Sequence, residues 1–274
     1  MVATVRRDHY TSETLRPRFS VCGLLGLAIA IPACGTNDAT PDGIDASSPD
    51  VIRGEPDAGP VTPACRPASG TTGSPQTILD AVALLDGLPQ PVTLPCFLES
   101  LDRPLALVAT TNTVSAQPAE SARNPRVFLL TGRLSLAFVP EGPFRDVLEL
   151  GEISADNINS IKGEVHFPVE APLAASDAFD RVVDSAVDNV PTQSKCSICH
   201  FPERTVDKVG YEHAFESIAY RPNPLYDAPL GDLQREHETC DVTVEPERCA
   251  TLAAIFGHGA VVGGAFPSEM ATFF

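Results

Sequence analysis

The middle of the chain alternates apolar and polar residues with the period of two that is typical of β-strands. The clearest case is residues 126–139, where two such runs flank Thr131-Gly132-Arg133 and predict a β-hairpin. Shorter runs predict further strands over residues 105–110, 147–153 and 161–169. Because turn residues separate the runs, the pattern predicts a small antiparallel sheet or sandwich over residues 88–172.

The last of these predicted strands assigns its side chains to opposite faces of the sheet. Lys162, Glu164 and His166 share one face, and the apolar residues that alternate with them share the other. A polar face of this kind is ordinarily exposed to solvent, so His166 is interpreted as an exposed histidine rather than a ligand.

Helical spacing of apolar residues occurs on both sides of the predicted sheet. Ser74 and Pro75 are typical of an N-cap and a first helical position, and the spacing that follows predicts a helix ending at Gly87. At the beginning of the predicted sheet, residues 91–98 are predicted as a strand that Pro95 interrupts. In the C-terminal part, the same kind of spacing predicts helices over residues 211–220, 230–240 and 246–256.

The order of these elements predicts an α+β fold with two modules. A helix and the β-rich segment form the first module, over residues 74–172. A mostly helical, disulfide-stapled module follows over residues 173–274. A chain of 274 residues is long enough for one or two domains with a sizeable core.

Residues 1–33 have the pattern of an export signal, with arginines ahead of a short apolar run over residues 21–31. That run is shorter than the ~20 residues that a membrane-spanning helix needs. It ends in Ile31-Pro32-Ala33-Cys34, which resembles the lipobox of bacterial lipoproteins. The resemblance implies an exported cell-envelope protein, periplasmic or in the outer membrane, that is lipidated on Cys34. Pro32 departs from the lipobox pattern, so cleavage by the ordinary signal peptidase is the alternative.

Residues 34–73 are rich in Asp, Pro, Ser, Thr, Ala and Gly and contain almost no large apolar residues. Such a segment cannot bury enough surface to offset the entropy lost on ordering, so it is predicted to be a disordered acidic tether. Next to a lipidated cysteine, it would hold the folded part away from a membrane. The chain has a formal net charge of -17, which argues against nucleic-acid binding because that requires a basic surface.

The chain contains 8 cysteines, and export into an oxidising compartment favours disulfides among them. With Cys34 lipidated, pairing of neighbouring cysteines in the folded part predicts Cys65–Cys96 and Cys240–Cys249. The second bridge would join the two predicted helices on either side of it.

Residues 196–200 read Cys-Ser-Ile-Cys-His, and no other stretch of the chain is as chemically specific. Two thiols at this spacing can add to the two vinyl groups of a haem, and the histidine after them can ligate the iron. The motif resembles the attachment site of c-type cytochromes, and the resemblance covers this motif alone. It implies a covalent haem c on Cys196 and Cys199, with His200 as an axial ligand, and single-electron transfer with a redox partner protein.

The sixth position of such an iron would need a second ligand or stay open. Met270 is the leading candidate, because it lies downstream of the motif in an apolar loop, as the ligand methionine does in small c-type cytochromes. Its alternative role is to fill a gap in the core. His258 is the next candidate, followed by His213 and His237.

Other chemistries of the motif stay open at this point. Cys196 and Cys199 could form a local disulfide, could bind zinc together with His200 and His213, or could act as a redox dithiol. No nucleophile–base pair or other catalytic motif accompanies the site, so we do not expect an enzyme. The alternative function is a cofactor-free, disulfide-stabilised envelope lipoprotein whose β-rich module has a binding or structural role.

Overall fold

The computed structural model describes residues 65–183 and 193–273, which belong to one compact unit spanning Ala58–Phe274. The predicted signal peptide, the lipidation site Cys34 and most of the predicted tether lie outside the described residues and stay predictions. No helix within the described ranges combines the length and the apolar composition that a bilayer crossing requires.

Ten strands are described. They are β1 (Leu105–Thr110), β2 (Arg126–Thr131), β3 (Leu134–Phe138), β4 (Val147–Ile153), β5 (Asn159–His166), β6 (Glu203–Thr205), β7 (Phe215–Ile218), β8 (Tyr220–Arg221), β9 (Val261–Gly263) and β10 (Ala271–Thr272). Eight of them form one mixed sheet in the order β6-β7-β5-β4-β3-β2-β1-β9, and β10 and β8 form a second sheet. β9 lies parallel to β1 and β10 parallel to β8, whereas the other neighbours are antiparallel.

The centre of the large sheet is the antiparallel meander from β1 to β5, in which consecutive strands are neighbours. Thr131 pairs with Leu134 across the β2–β3 hairpin, and Gly132 between them has a φ of 67°. Glycine adopts this left-handed conformation without strain, which is why the turn can be so tight. The hairpin and the strands predicted over residues 105–110 and 147–153 are confirmed.

Five α-helices are described: α1 (Ile78–Asp86), α2 (Leu94–Glu99), α3 (Asp177–Asp180), α4 (Leu230–Glu238) and α5 (Pro246–Phe256). One hydrophobic core joins helices α1, α2 and α5 to the apolar face of the sheet, with Ile78, Phe97, Leu129 and Ile255 almost fully buried. α4 and α5 confirm the helices predicted over residues 230–240 and 246–256. Because the helices cover one face of the sheet, its other face stays available for a site.

The first helix begins later than the sequence predicts. Its N-cap is Thr77 rather than Ser74. The Thr77 hydroxyl accepts a hydrogen bond from the backbone N–H of Asp80 at 3.1 Å, and the Asp80 carboxylate accepts one from the backbone N–H of Thr77. The predicted end at Gly87 is confirmed.

Two predicted elements are wrong. Residues 91–98 were expected to form a strand, but Leu94–Glu99 forms α2, with Pro95 in the first turn where a missing N–H costs no hydrogen bond. Residues 211–220 were expected to form a helix, but Phe215–Ile218 forms β7 between β5 and β6. The pairing of residues 215–218 with both β5 and β6 outweighs the helical spacing of the apolar residues in this segment.

The α+β class is confirmed, but the division into a sheet module and a mostly helical module is not. Strands β6, β7 and β9 come from the predicted C-terminal module, residues 173–274, and join the same sheet as β1 to β5. The two parts of the chain therefore share one sheet and one core.

Two disulfides join the cysteine pairs that the sequence predicts. Cys65–Cys96 attaches the beginning of the described chain to α2. Cys240–Cys249 connects the residue after the C-cap of α4 to α5, across the loop that contains Glu245. Both bonds tie loop segments to the helices that pack on the core.

Candidate functional site

A cleft lies against the second face of the large sheet. Alternate residues of β2, β3 and β4 line it, whereas the residues between them are buried in the core. The lining residues of these strands include Arg126, Phe128, Ser135, Ala137, Glu149 and Gly151. β5 contributes Lys162 and Glu164, from the polar face that the sequence predicts for this strand. The cleft encloses an empty volume of about 1140 Å³, part of which is open solvent.

Small residues line this cleft in the middle of the sheet. Gly151 on β4 pairs with Ser135 on β3, and Ala137 follows two residues later on the same face. A Cβ atom added to Gly151 would lie 2.7 Å from the Ser135 hydroxyl oxygen, which is closer than two such atoms can approach. The Ser135 hydroxyl can therefore lie over residue 151 only because this residue is glycine.

The Cys-Ser-Ile-Cys-His motif forms a tight turn beside the cleft. Lys195–Ile198 is a 3₁₀ helix whose N-cap, Ser194, accepts a hydrogen bond from the backbone N–H of Cys196. Ser194 in turn donates from its backbone N–H and its hydroxyl to the Glu203 carboxylate, at 2.6 and 2.7 Å. The backbone N–H of His200 donates to the carbonyl of Cys196 at 2.9 Å, so the motif folds back on itself.

One ion pair attaches this turn to the sheet. Lys195 Nζ lies 2.6 Å from the carboxylate of Glu164 on β5, which also bonds His166. Burial alone would raise the pKa of Glu164, but the hydrogen bonds from His166 and Lys195 outweigh it and lower this pKa below its ordinary value. The residue directly before Cys196 is thus fixed to the cleft wall.

Cys196 and Cys199 both line the cleft and are free thiols. Burial raises the pKa of Cys196 to about 11, although the nearby charge of Lys162 opposes the shift. A redox dithiol needs a lowered thiol pKa, because the thiolate is the reactive form. The environment of Cys196 therefore does not favour the redox-dithiol alternative.

His200 is oriented by its backbone contact and by two aromatic rings. Its Nδ1 lies 2.7 Å from the carbonyl oxygen of Ile218 at the end of β7. Its ring packs against Tyr220 and Phe273, with ring centroids 5.2 and 6.5 Å apart. If Nδ1 carries the proton and donates it to the carbonyl, Nε2 keeps its lone pair, as in ligating histidines generally.

The protonation state of His200 also suits a ligand. Burial, aided by the charge of Lys162, lowers the pKa of His200 to about 3. The imidazole is therefore neutral at physiological pH, and only the neutral ring can bind a metal.

Met270 lies in the same cleft. Only 4% of it is exposed, and it packs with Ile153, Ala219 and Phe266 in a small cluster apart from the main core. The chain reaches this place because β10, which follows Met270 directly, pairs with β8 next to the His200 contacts. The structure therefore brings Cys196, Cys199, His200 and Met270 to one cleft.

The other candidate histidines do not line it. His258 Nε2 lies 3.7 Å from Glu99 on α2, and His213 Nδ1 lies 2.7 Å from Asp180. His237 stacks on Phe256, with ring centroids 5.8 Å apart. Within residues 65–183 and 193–273, no group of three or more His, Cys, Asp and Glu residues is arranged to hold a metal ion, so a zinc site formed with His213 is not assembled.

Several charged residues of the cleft were not singled out as site residues from the sequence. Arg126, Lys162, Lys195 and Arg221 are its cations, and Glu149 and Glu164 are its carboxylates. The alternation in β5 already placed Lys162 and Glu164 on one face. No comparable signal marks Arg221, because β8 contains only two residues.

The residues present fit a covalently attached haem. Attachment needs two thiols at the C-x-x-C spacing, and ligation needs one or two axial donors. The cleft supplies the thiols of Cys196 and Cys199, the imidazole of His200 and the thioether of Met270, over a sheet face lined by the small residues Ala137 and Gly151. Phe128 and Phe266, in edge-to-face contact at 5.4 Å, add apolar surface.

Comparisons of this chain with protein-family models, with curated proteins and with solved structures found no match.

Proposed function

We propose that this protein is a c-type haem protein that transfers single electrons in the bacterial cell envelope. The observation that carries the proposal is the convergence of Cys196, Cys199, His200 and Met270 on one cleft. Cys196 and Cys199 would attach the haem, His200 would ligate the iron through Nε2, and Met270 would provide the sixth ligand.

Attachment needs no reagent beyond the two thiols and the two vinyl groups. Each thiol would add its S–H across one vinyl C=C, so that a C–S bond would form and the hydrogen would go to the other vinyl carbon. The bound group supplies a one-electron change of iron oxidation state. If His200 and Met270 both held the iron, they would leave no position for a substrate, which favours electron transfer over bond-making catalysis.

The cellular setting is part of the proposal. Two disulfides in the described chain are compatible with an oxidising compartment, which suits an exported protein. Lipidation of Cys34 and the acidic tether after it would place the cleft near a membrane surface, within reach of a redox partner protein.

The test is expression of the full chain in a periplasm that contains the cytochrome c maturation machinery. We expect the mature protein to carry the mass of one haem and to stain for haem on a denaturing gel. Cys196→Ser with Cys199→Ser should remove both signals. Ser197→Ala with Ile198→Ala is the matched control, because Ile198 is 83% exposed and the C-x-x-C-H pattern leaves both positions free.

A colourless protein of peptide mass, with or without lipid, would reject the proposal. If Cys196 and Cys199 were then found as a disulfide, the cofactor-free envelope lipoprotein would be the better description.

A further inference from the structure

The charges that line the cleft do not cancel. Four cations and two carboxylates line it, in a chain whose formal net charge is -17. Arg126 pairs with Glu149, and Lys195 pairs with Glu164. Both carboxylates are therefore already used, and two positive charges are left over in the cleft.

Lys162 is the first of these. Its Nζ lies 2.6 Å from the hydroxyl oxygen of Ser160, and it forms no ion pair with the described residues. Its neighbour across the β4–β5 ladder is Gly151, which has no side chain to cover it. Burial lowers the pKa of Lys162 to about 8, so the folded protein holds this ammonium group at a cost that an added anion would offset.

Arg221 is the second. It follows Tyr220, whose ring contacts His200, and it lies on β8 opposite β10. Its Nε atom is buried and has no hydrogen-bond partner, and Arg221 forms no ion pair within the described ranges. A buried donor without a partner destabilises the fold, and a guanidinium group binds carboxylates through two parallel hydrogen bonds.

We infer that Lys162 and Arg221 bind the two propionate carboxylates of the haem. This inference depends on the proposed function, because a haem brings two carboxylates that the cleft must accommodate. Two unpaired cations match two carboxylates in number and in charge. Without these cations, a propionate in the cleft would add its negative charge to those of Glu149 and Glu164, which both line it.

The test measures the propionates of the matured haem protein by infrared spectroscopy as a function of pH. In the unmodified protein, we expect both carboxylates to stay ionised well below the ordinary pKa of a carboxylic acid. Lys162→Met and Arg221→Met should each raise the pKa of one propionate by about one unit or more, since a cation beside a carboxylate lowers its pKa by 1–3 units. Each should also lower the reduction potential, because a positive charge near the haem favours the reduced state.

Arg204→Met is the matched control. Arg204 lies on β6, pairs with Glu216 and does not line the cleft. Its replacement removes one positive charge, as the other two substitutions do, and should change neither the propionate pKa values nor the reduction potential appreciably. Lys162→Arg keeps the charge and should retain the low propionate pKa. Haem content and circular dichroism report whether each variant is folded.

Three outcomes are distinguishable. If haem is attached but the propionates of the unmodified protein titrate at ordinary values, the inference is wrong and the proposed function stands. The same holds if the Lys162 and Arg221 variants behave like Arg204→Met. If the unmodified protein carries no haem, both fail together.

Discussion

Two substitutions of Met270 distinguish the proposed ligand role from a core role, because Met270→Leu removes only the sulfur and Met270→Ala removes the sulfur and most of the side-chain volume. Met270→Leu conserves volume and removes the sulfur, and such changes cost less than about 1.5 kcal/mol of folding stability. Met270→Ala also leaves a cavity. Met270 is only 4% exposed, but the cluster around it is small. We therefore expect a loss of folding stability in the lower part of the usual range for such substitutions, about 2–3 kcal/mol.

The assay is a redox titration of the haem-bearing protein, followed optically, beside urea unfolding followed by circular dichroism. If Met270 ligates the iron, Met270→Leu and Met270→Ala should both change the visible spectrum. Both should lower the reduction potential by tens to hundreds of millivolts, within the ~0.8 V range that axial ligands set, because a methionine ligand raises the potential. Only the alanine variant should lose much stability.

Ile153→Val is the control within the same cluster. It removes one buried methyl group next to Met270 without touching a sulfur, and we expect a loss of about 0.5–1.5 kcal/mol with an unchanged spectrum. Should Met270→Leu keep both the spectrum and the potential of the unmodified protein, Met270 would be a core residue, and the iron would have another sixth ligand or none.

Three further predictions follow from the described contacts. Cys65→Ser opens the disulfide to Cys96, which closes a loop of 31 residues, and should cost about 3–4 kcal/mol in chemical unfolding. Glu164→Gln should cost about 1–2 kcal/mol at pH 7. Because folding lowers the pKa of Glu164, this loss should be full above the ordinary pKa of a glutamate, about 4.3, and should disappear as the pH falls through the lowered pKa of the folded state. A penalty of the same size at neutral and at acidic pH would contradict the ion pair. Gly151→Leu should fill the cleft, so that haem attachment falls while the disulfides still form, as mass spectrometry can show.

The sequence was informative wherever the structure follows a local pattern. The period of two predicted β1 to β4 because a strand with one buried face must alternate. It also predicted the faces of Lys162 and Glu164. The wrong assignments, at α2 and β7, are short segments whose state is decided by a cap at Thr93 and by strand pairing, neither of which alters hydrophobic periodicity.

The residues of the candidate site could be predicted from the sequence, but their arrangement in one cleft could not. Cys196, Cys199, His200 and Met270 could each be named from motif chemistry. Their convergence depends on two-residue strands, β8 and β10, which are too short to leave a pattern in the sequence. For the same reason Arg221 could not be assigned to the cleft.

The cleft also explains why the motif alone is an incomplete site. The wall facing it is formed by β2 to β5, which precede residue 173, and Lys195 attaches the motif to that wall through Glu164. Met270 reaches the cleft from the other end of the chain through the pairing of Ala271 with Tyr220. A fragment starting at residue 173 would keep the cysteines, His200 and Met270, but it would lose the sheet face that aligns them and the ammonium group of Lys162. If the protein binds haem as proposed, haem attachment therefore requires the β-rich half as much as the half that contains the motif.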